Sequence, residues 1–321
     1  MNEKSSKNNY LVIIIVLLLV VAIITGAGLC YLSWSDEYNP NGGAAQSTEM
    51  TDITESVVST EESTETTETI EATESTETTE TTEVETPVED EGLAANTVNM
   101  EQIEIAEDGT YQYIKEGVVA SHKGIDVSKY QGNVDWKKVA ADGVEYAFIR
   151  VGCRGYGKSG TLIKDEKFHQ NVKGALEQGI KVGAYFFTQA ITKEEALAEA
   201  ELVIKELANY EITYPVAIDV ERVQNDKARQ DALTAEDRTE ICKVFCEKIK
   251  EAGYIPMVYG DSETFAKLIL PEELSAYDFW ICETDGTMTF PYEFAVWQYS
   301  HKGTVPGIKG DANISISLKE W

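Results

Sequence analysis

Two carboxylates one residue apart inside an apolar run, Asp219 and Glu221 in YPVAIDVERV (residues 214–223), are the side chains best placed to do chemistry. A carboxylate loses several kcal/mol of hydration on leaving water, so a buried strand excludes such groups unless something compensates. In a strand, side chains alternate, which puts Val216, Ile218 and Val220 on one face and Ala217, Asp219 and Glu221 on the other. The same alternation in GIDVS separates Ile125 and Val127 from Asp126 and Ser128, and in AFIRVG it separates Ala147, Ile149 and Val151 from Arg150. If these strands are neighbours, Asp126, Arg150, Asp219 and Glu221 meet at one mouth. Like charges and partial burial then raise the pKa of at least one acid. A carboxyl group that keeps its proton beside one that has lost it is the equipment of glycosidic bond cleavage. Metal binding is the competing use of clustered acids, but such a site more commonly recruits His, and His122, His169 and His301 fall outside these strand ends. A buried ion pair with Arg150 is the purely structural use of Asp219 and Glu221, and Asp126 has the alternative of a turn-forming Asp.

The elements that must carry these residues follow from an alternating pattern. Eight short apolar runs appear, GIDVS, YAFIRVG, KVGAYFF, YPVAIDVE, IPMVYG, FWICE, FAVWQYS and ISISL. Helical patterns separate the first five: VDWKKVAADG, EKFHQNVKGALEQG, TKEEALAEAELVIKELANY and RTEICKVFCEKIKEAG, with SETFAKLILPEELSAY following the fifth run. Asp135 caps the first helix and Thr192 with Glu195 forms a capping box, while Gly143, Gly179 and Gly253 act as terminators. Regular strand and helix alternation indicates α/β architecture with a parallel sheet. Eight strands with the helices missing from the last third suit an irregular TIM-like (β/α)5(β)3 barrel, and an open doubly wound sheet is the alternative. In a barrel, Asp219 and Glu221 sit at a strand's C-terminal end, where such enzymes place their chemistry.

The first hundred of the 321 residues are of a different kind. Residues 1–10 form a short N-terminus, expected in the cytoplasm. Residues 11–33 open with an uncharged apolar run long enough to cross a bilayer as a helix. That length favours an uncleaved anchor over a signal peptide, and Leu29 is too large for the position before a lipidated Cys30. Lys4 and Lys7 precede the run and Asp36 and Glu37 follow it, which places the remainder outside the cell. Residues 34–100 hold 18 acidic side chains and no Lys or Arg, with Glu at every third position from Glu65 to Glu83. This period fits neither helix nor strand, so a disordered, solvated linker is expected. It would reach about 50 Å as a flexible coil and about 200 Å when stretched. Of the net charge of −29, residues 101–321 keep only −12, so most of the acidity belongs to the linker. Neither part suits nucleic acid, whose recognition leans on Lys and Arg. No cofactor motif and no zinc-like Cys or His spacing appears. Cys242 and Cys246, one helical turn apart, read as small buried apolar residues. Oligomeric state leaves no mark in the sequence.

Taken together, KGIDVSKYQGNVDWKKV, AFIRVG, FHQNVKGALEQGIKVGAYFF, YPVAIDVE, WQYS and VPGIKGDANIS resemble, in order, the signature blocks of glycoside hydrolase family 25, the Chalaropsis-type lysozymes. The resemblance covers residues 123–321, which leaves 101–122 as a short β extension. It implies an irregular eight-stranded barrel and cleavage of the β-1,4 bond between N-acetylmuramic acid and N-acetylglucosamine in peptidoglycan glycan strands. It also implies Glu221 as general acid, Asp219 as nucleophile or stabiliser, Asp126 as a third catalytic carboxylate, and Asp311 in GDAN as a sugar contact. ANISISL departs from the polar and aromatic stretch usual after that last Asp. Tyr185 and Trp297 are expected to stack on sugar rings, Arg150 to line the substrate site, and Trp280 to serve packing. A wall-binding module that kept the barrel without turnover is the competing class, and the intact carboxylate set argues against it.

Overall fold

A computed structural model describes residues 92–223 and 228–321. The apolar run at 11–33 and the acidic stretch at 34–100 lie outside the described residues, save for 92–100; among those described, no helix is long and apolar enough to cross a membrane.

The eight expected runs become the eight strands of a closed sheet. An N-terminal antiparallel sheet comes first: β1 (Ile103–Ile105), β2 (Tyr111–Lys115) and β3 (Val118–Val119). The barrel strands are β4 (His122–Val127), β5 (Tyr146–Arg154), β7 (Lys181–Phe187), β8 (Val216–Asp219), β9 (Pro256–Asp261), β10 (Asp278–Cys282), β11 (Val296–Gly303) and β12 (Ala312–Ser317). Neighbours pair in that order, and β4 closes the ring by pairing with both β5 and β12. Every barrel pairing from β4 to β11 is parallel, whereas β12 runs antiparallel to both of its neighbours. A short β6 (Leu162–Lys164) folds back onto the end of β5.

Four α-helices cover the outside: α1 (Trp136–Ala141), α2 (Phe168–Glu177), α3 (Lys193–Leu207) and α4 (Ala235–Glu251). The Asp135 side chain accepts from the Lys138 amide, capping α1 as expected. At α3 the Thr192 hydroxyl accepts from the Glu195 amide, while the Glu195 carboxylate reaches one residue further back, to the Ile191 amide. The reciprocal capping box is found at α4, between Thr234 and Asp237, so that helix starts earlier than its apolar pattern. The expected fifth helix is absent. Residues 262–277 form instead one wide turn over Thr264–Leu268 and a 3₁₀ turn over Pro271–Leu274. Pro271 has no amide hydrogen to donate, and its ring would collide with the preceding turn of a continuous helix.

Alternation divides the barrel residues into two layers. Val216, Ile218, Val220, Ile125, Val127, Ile149 and Val151 pack outward against the helices, together with the buried thiols Cys242 and Cys246. A second cluster fills the interior: Tyr146, Phe148, Tyr214, Ala217, Met257, Tyr259, Trp280, Cys282, Ala295 and Val296. Tyr146 stacks on Tyr214 with ring centroids 4.8 Å apart, and Phe148 stacks on Trp280 at 4.4 Å. Gly124 makes room for this floor, since a Cβ there would lie 2.0 Å from the Tyr146 ring. The N-terminal sheet rests on the outer face of β11, where Tyr111 stacks on Tyr299 at 4.3 Å and meets Trp297 edge-on at 5.5 Å.

Candidate active site

Above the aromatic floor the interior turns acidic. Asp126 on β4 lies opposite Asn313 on β12, and Asp219, the last residue of β8, lies beside Tyr259 on β9. Glu221 follows two residues on and is half-buried at the rim. Arg150 on β5 and Tyr185 on β7 sit in register with each other, and Ala217 beneath Asp219 also pairs with Tyr185. The geometry thus brings Asp126, Arg150, Asp219, Glu221 and Tyr185 to one end of the barrel.

All three carboxyl groups are pushed toward the protonated state. Burial raises Asp126 to about 7 against the opposing pull of the Asn313 amide and the Arg150 guanidinium. Burial, with Asp261 and Asp126 nearby, raises Glu221 to about 8 against a hydrogen bond from Tyr259. Asp219 is raised by burial first, then by Glu221 and Asp126, with Arg150 opposing. Three acids so placed cannot all ionise at neutral pH, and at least one proton stays in the cluster. Asp126 Oδ1 accepts from Asn313 Nδ2 at 2.9 Å, whereas Asp126 Oδ2 and Asp219 Oδ1 are buried with no hydrogen-bond partner in the protein. Unsatisfied carboxylate oxygens deep in a polar mouth are acceptors positioned for something that arrives from outside.

Several expected roles are revised. Arg150 does not pair with Asp219 or Glu221. Its Nε and Nη2 both donate to Asp165 Oδ2, at 2.9 and 2.8 Å, and its guanidinium lies 5.0 Å from the centre of the Tyr130 ring. Held in this way, Arg150 acts on the acids through its field rather than as an open ligand for sugar. Trp297 is fully buried in the outer layer and donates from Nε1 to the Glu283 carbonyl, so it offers no face to a sugar. The cause is strand parity, since Val296 occupies the interior and Trp297 must point the other way. Tyr185 is half-buried at the mouth, edge-on to Trp280 with centroids 6.2 Å apart, and Trp280 itself belongs to the floor. Asp311 is exposed just before β12, two residues from Asn313. His301, which the sequence leaves outside the strand ends, lies in the cleft beside Glu221.

That cleft has a volume of about 250 Å³ and is lined by Glu221, Asp261, Cys282, Glu283 and His301 among others. Glu283 is occupied in holding the wall together, accepting from Ser262 Oγ, the Thr289 amide and Thr289 Oγ1 at 2.6–2.7 Å. Among the described residues, no three of His, Cys, Asp or Glu converge as metal ligands. Asp165, Asn313 and His301 are the site residues that sequence reasoning missed. For Asn313 a signal existed, since the alternation in ANISIS that sends Ile314 and Ile316 outward sends Asn313 inward.

The sequence profile of Glycosyl hydrolases family 25 matches residues 125–308, which spans β4 to the approach of β12 and includes Asp126, Asp219 and Glu221. The chain belongs to this family. It is therefore a glycoside hydrolase. It is 26% identical over 200 residues to lysozyme M1 of Streptomyces globisporus, covering 60% of this chain and 66% of that one. It is 27% identical over 195 residues to the N,O-diacetylmuramidase of Arthroderma benhamiae, covering 58% and 72%. The barrel is similar to the modular autolysin LytC of Streptococcus pneumoniae, solved with a synthetic peptidoglycan ligand, with a TM-score of 0.57 and 23% identity. That likeness covers 67% of this chain and 51% of LytC, so the chain spans about half of the autolysin's length and just under two thirds of lysozyme M1.

Proposed function

We propose that this family 25 hydrolase is a muramidase, cleaving the β-1,4 bond between N-acetylmuramic acid and N-acetylglucosamine of peptidoglycan. The observation that carries the reading is the convergence of three carboxyl groups with raised pKa at the open end of the barrel, Asp126 and Asp219 buried and Glu221 half-buried. Glu221, at the rim and raised to about 8, keeps a proton at neutral pH to give to the glycosidic oxygen as the bond breaks. Asp219 sits deeper on the same strand, with Oδ1 buried and unpartnered. It is placed to accept the N–H of the sugar's 2-acetamido group and turn that group's oxygen onto the anomeric carbon. This substrate-assisted route suits two acids mounted on one wall better than a nucleophile and acid that flank the bond. Asp126, facing both from β4, supports charge on that side of the ring. The names of the muramidase and lysozyme relatives point to the same substrate.

Digesting purified peptidoglycan with the full chain and reducing the products with borohydride tests the reading. New reduced muramic acid ends are the expected result. New glucosamine ends, or no new ends, would overturn it, the latter leaving a wall-binding module.

We further propose that residues 11–33 anchor the enzyme in the cell membrane, with the catalytic barrel on the wall side at the end of the 34–100 linker. The uncharged run, the flanking Lys4 and Lys7, and the acidic character of everything that follows support this arrangement. The protein should sediment with membranes, and protease added to intact protoplasts should release the barrel. A protein found wholly in the soluble fraction with its N-terminus intact would rule the anchor out.

A further inference from the structure

A chain of side-chain donors runs through the rim of the barrel and ends on Asp126. Gln298 Nε2 lies 2.9 Å from His301 Nδ1; His301 stands across from Asn313, between the pairs Ser300–Ile314 and Gly303–Ala312, within reach of its side-chain amide; and Asn313 Nδ2 donates to Asp126 Oδ1 at 2.9 Å. The direction of each bond follows from its ends. An ionised Asp126 can only accept, so the Asn313 amide must turn its NH₂ toward it and present its oxygen to His301. His301 must then donate from Nε2, which leaves Nδ1 bare to accept from Gln298. Burial lowers the His301 pKa, and the neutral imidazole has one donor and one acceptor, as this arrangement requires.

Local backbone irregularity builds the arrangement. Regular alternation would send Gln298 and His301, three residues apart, to opposite faces. The pairing of β11 with β12 slips between Gln298 and Ser300 and again between Ser300 and Gly303, so both side chains turn inward. Such bulges re-aim side chains beside active sites. Cys282 Sγ stands 3.4 Å from His301 Nε2 and 3.6 Å from Gln298 Nε2, closing the third side of the imidazole.

We propose that His301 is a positioning residue for the hydrolytic reaction: it fixes the Asn313 amide so that its NH₂ faces Asp126, and thereby orients and stabilises the Asp126 carboxylate. The inference rests on Asp126 being a catalytic group, as read above. The ionisable groups around Asp126 are Asp219 and Glu221 from β8 and the residues after it, Arg150 and Tyr146 from β5, Tyr185 from β7, Tyr259 from β9 and Cys282 from β10. Those around His301 are Asp261 from β9, Cys282 from β10, Lys302 from β11, and Glu221 and Glu283, which line the same cleft. None of these replaces Asn313 as a donor to Asp126 Oδ1.

The test is the titration midpoint of Asp126 in the full chain, read by NMR on protein with carboxyl-labelled aspartate and assigned through the signal lost in Asp126→Asn. His301→Phe and Asn313→Ala should each raise the midpoint by about one pH unit, a tenfold gain in proton affinity. The double variant should move it no further, because both changes break one chain. His301→Gln, which keeps an N–H donor, should restore most of the shift. A merely structural histidine would leave the midpoint where it is. An unmoved midpoint in folded His301→Phe, or shifts that add in the double variant, would overturn the relay. If the phenylalanine variant does not fold, His301→Ala is judged by the same outcomes. The two readings fail separately. Asp126→Asn that still cleaves glycan removes the catalytic role and leaves the relay, whereas a fixed midpoint removes the relay and leaves the catalytic role.

Discussion

Glu221→Gln should reduce glycan cleavage by at least about a hundredfold, the lower end of what general acid catalysis contributes, while the far-ultraviolet circular dichroism stays that of the parent and the urea midpoint at neutral pH does not fall below it, since the fold raises the Glu221 pKa. The amide preserves shape and cannot give up a proton. Glu221 is half-buried at the rim, so removing its charge leaves no cavity behind. The parent's pH profile supplies the second half of the expectation. An acid that must be protonated fails as pH rises through its pKa, so activity should fall on the alkaline side near about 8, where burial and the neighbouring acids put Glu221. Any activity left in the glutamine variant should lose that alkaline limb. Turnover near the parent's, or an alkaline limb unchanged in the variant, would take the proton donor's role from Glu221.

Asp219→Asn should act in opposite directions on activity and stability. Cleavage should drop by about a hundredfold to a thousandfold, the cost of removing a charged group aimed at a developing positive centre. Stability should rise, and the sign follows from linkage. The folded protein holds the Asp219 pKa above its unfolded value of about 4, through burial and the fields of Glu221 and Asp126. The folded state therefore favours the protonated form. Below the unfolded pKa both states are protonated and Asp219 costs nothing, and the cost grows as pH rises through the folded pKa. The asparagine variant escapes that cost, so its melting temperature should exceed the parent's at neutral and alkaline pH, with the gap closing below about pH 4. A variant less stable than the parent at pH 8 would show that the Asp219 charge is compensated in the fold. A sugar ester trapped on Asp219 would replace the acetamido-assisted route with direct nucleophilic attack.

The barrel was legible in the sequence because each strand carries its own signature. YAFIRVGCR is buried at every position of β5, and a run this apolar, broken only by two Arg, has few places to go except a parallel sheet covered on its outer face. The three carboxylates were legible because alternation is local, and knowing that Val216 and Ile218 face out is enough to know that Asp219 faces in. The same rule sends Trp297 outward beside Tyr299, whatever its ring suggests about sugar stacking. The fifth helix failed on Pro271, a single residue that overrides a good apolar period. What could not be read were partners brought together from distant segments. Nothing around Arg150 announces Asp165, fifteen residues away across a strand turn. The inward turn of His301 depends on bulges set by how β11 meets β12. The reversal of β12 is likewise a property of closure, with no local trace.

The floor of stacked rings has a meaning for the chemistry above it. Interiors packed like organic crystals barely compress, so the buried rings of Tyr146, Phe148, Tyr214 and Trp280 keep Asp126 and Asp219 from settling downward to ease their mutual repulsion. The cheapest relief open to the carboxyl groups is to hold on to a hydrogen ion. The reagent for bond cleavage is thus manufactured by architecture: a hard hydrophobic base presses the acids together and keeps the cluster loaded between encounters with the wall.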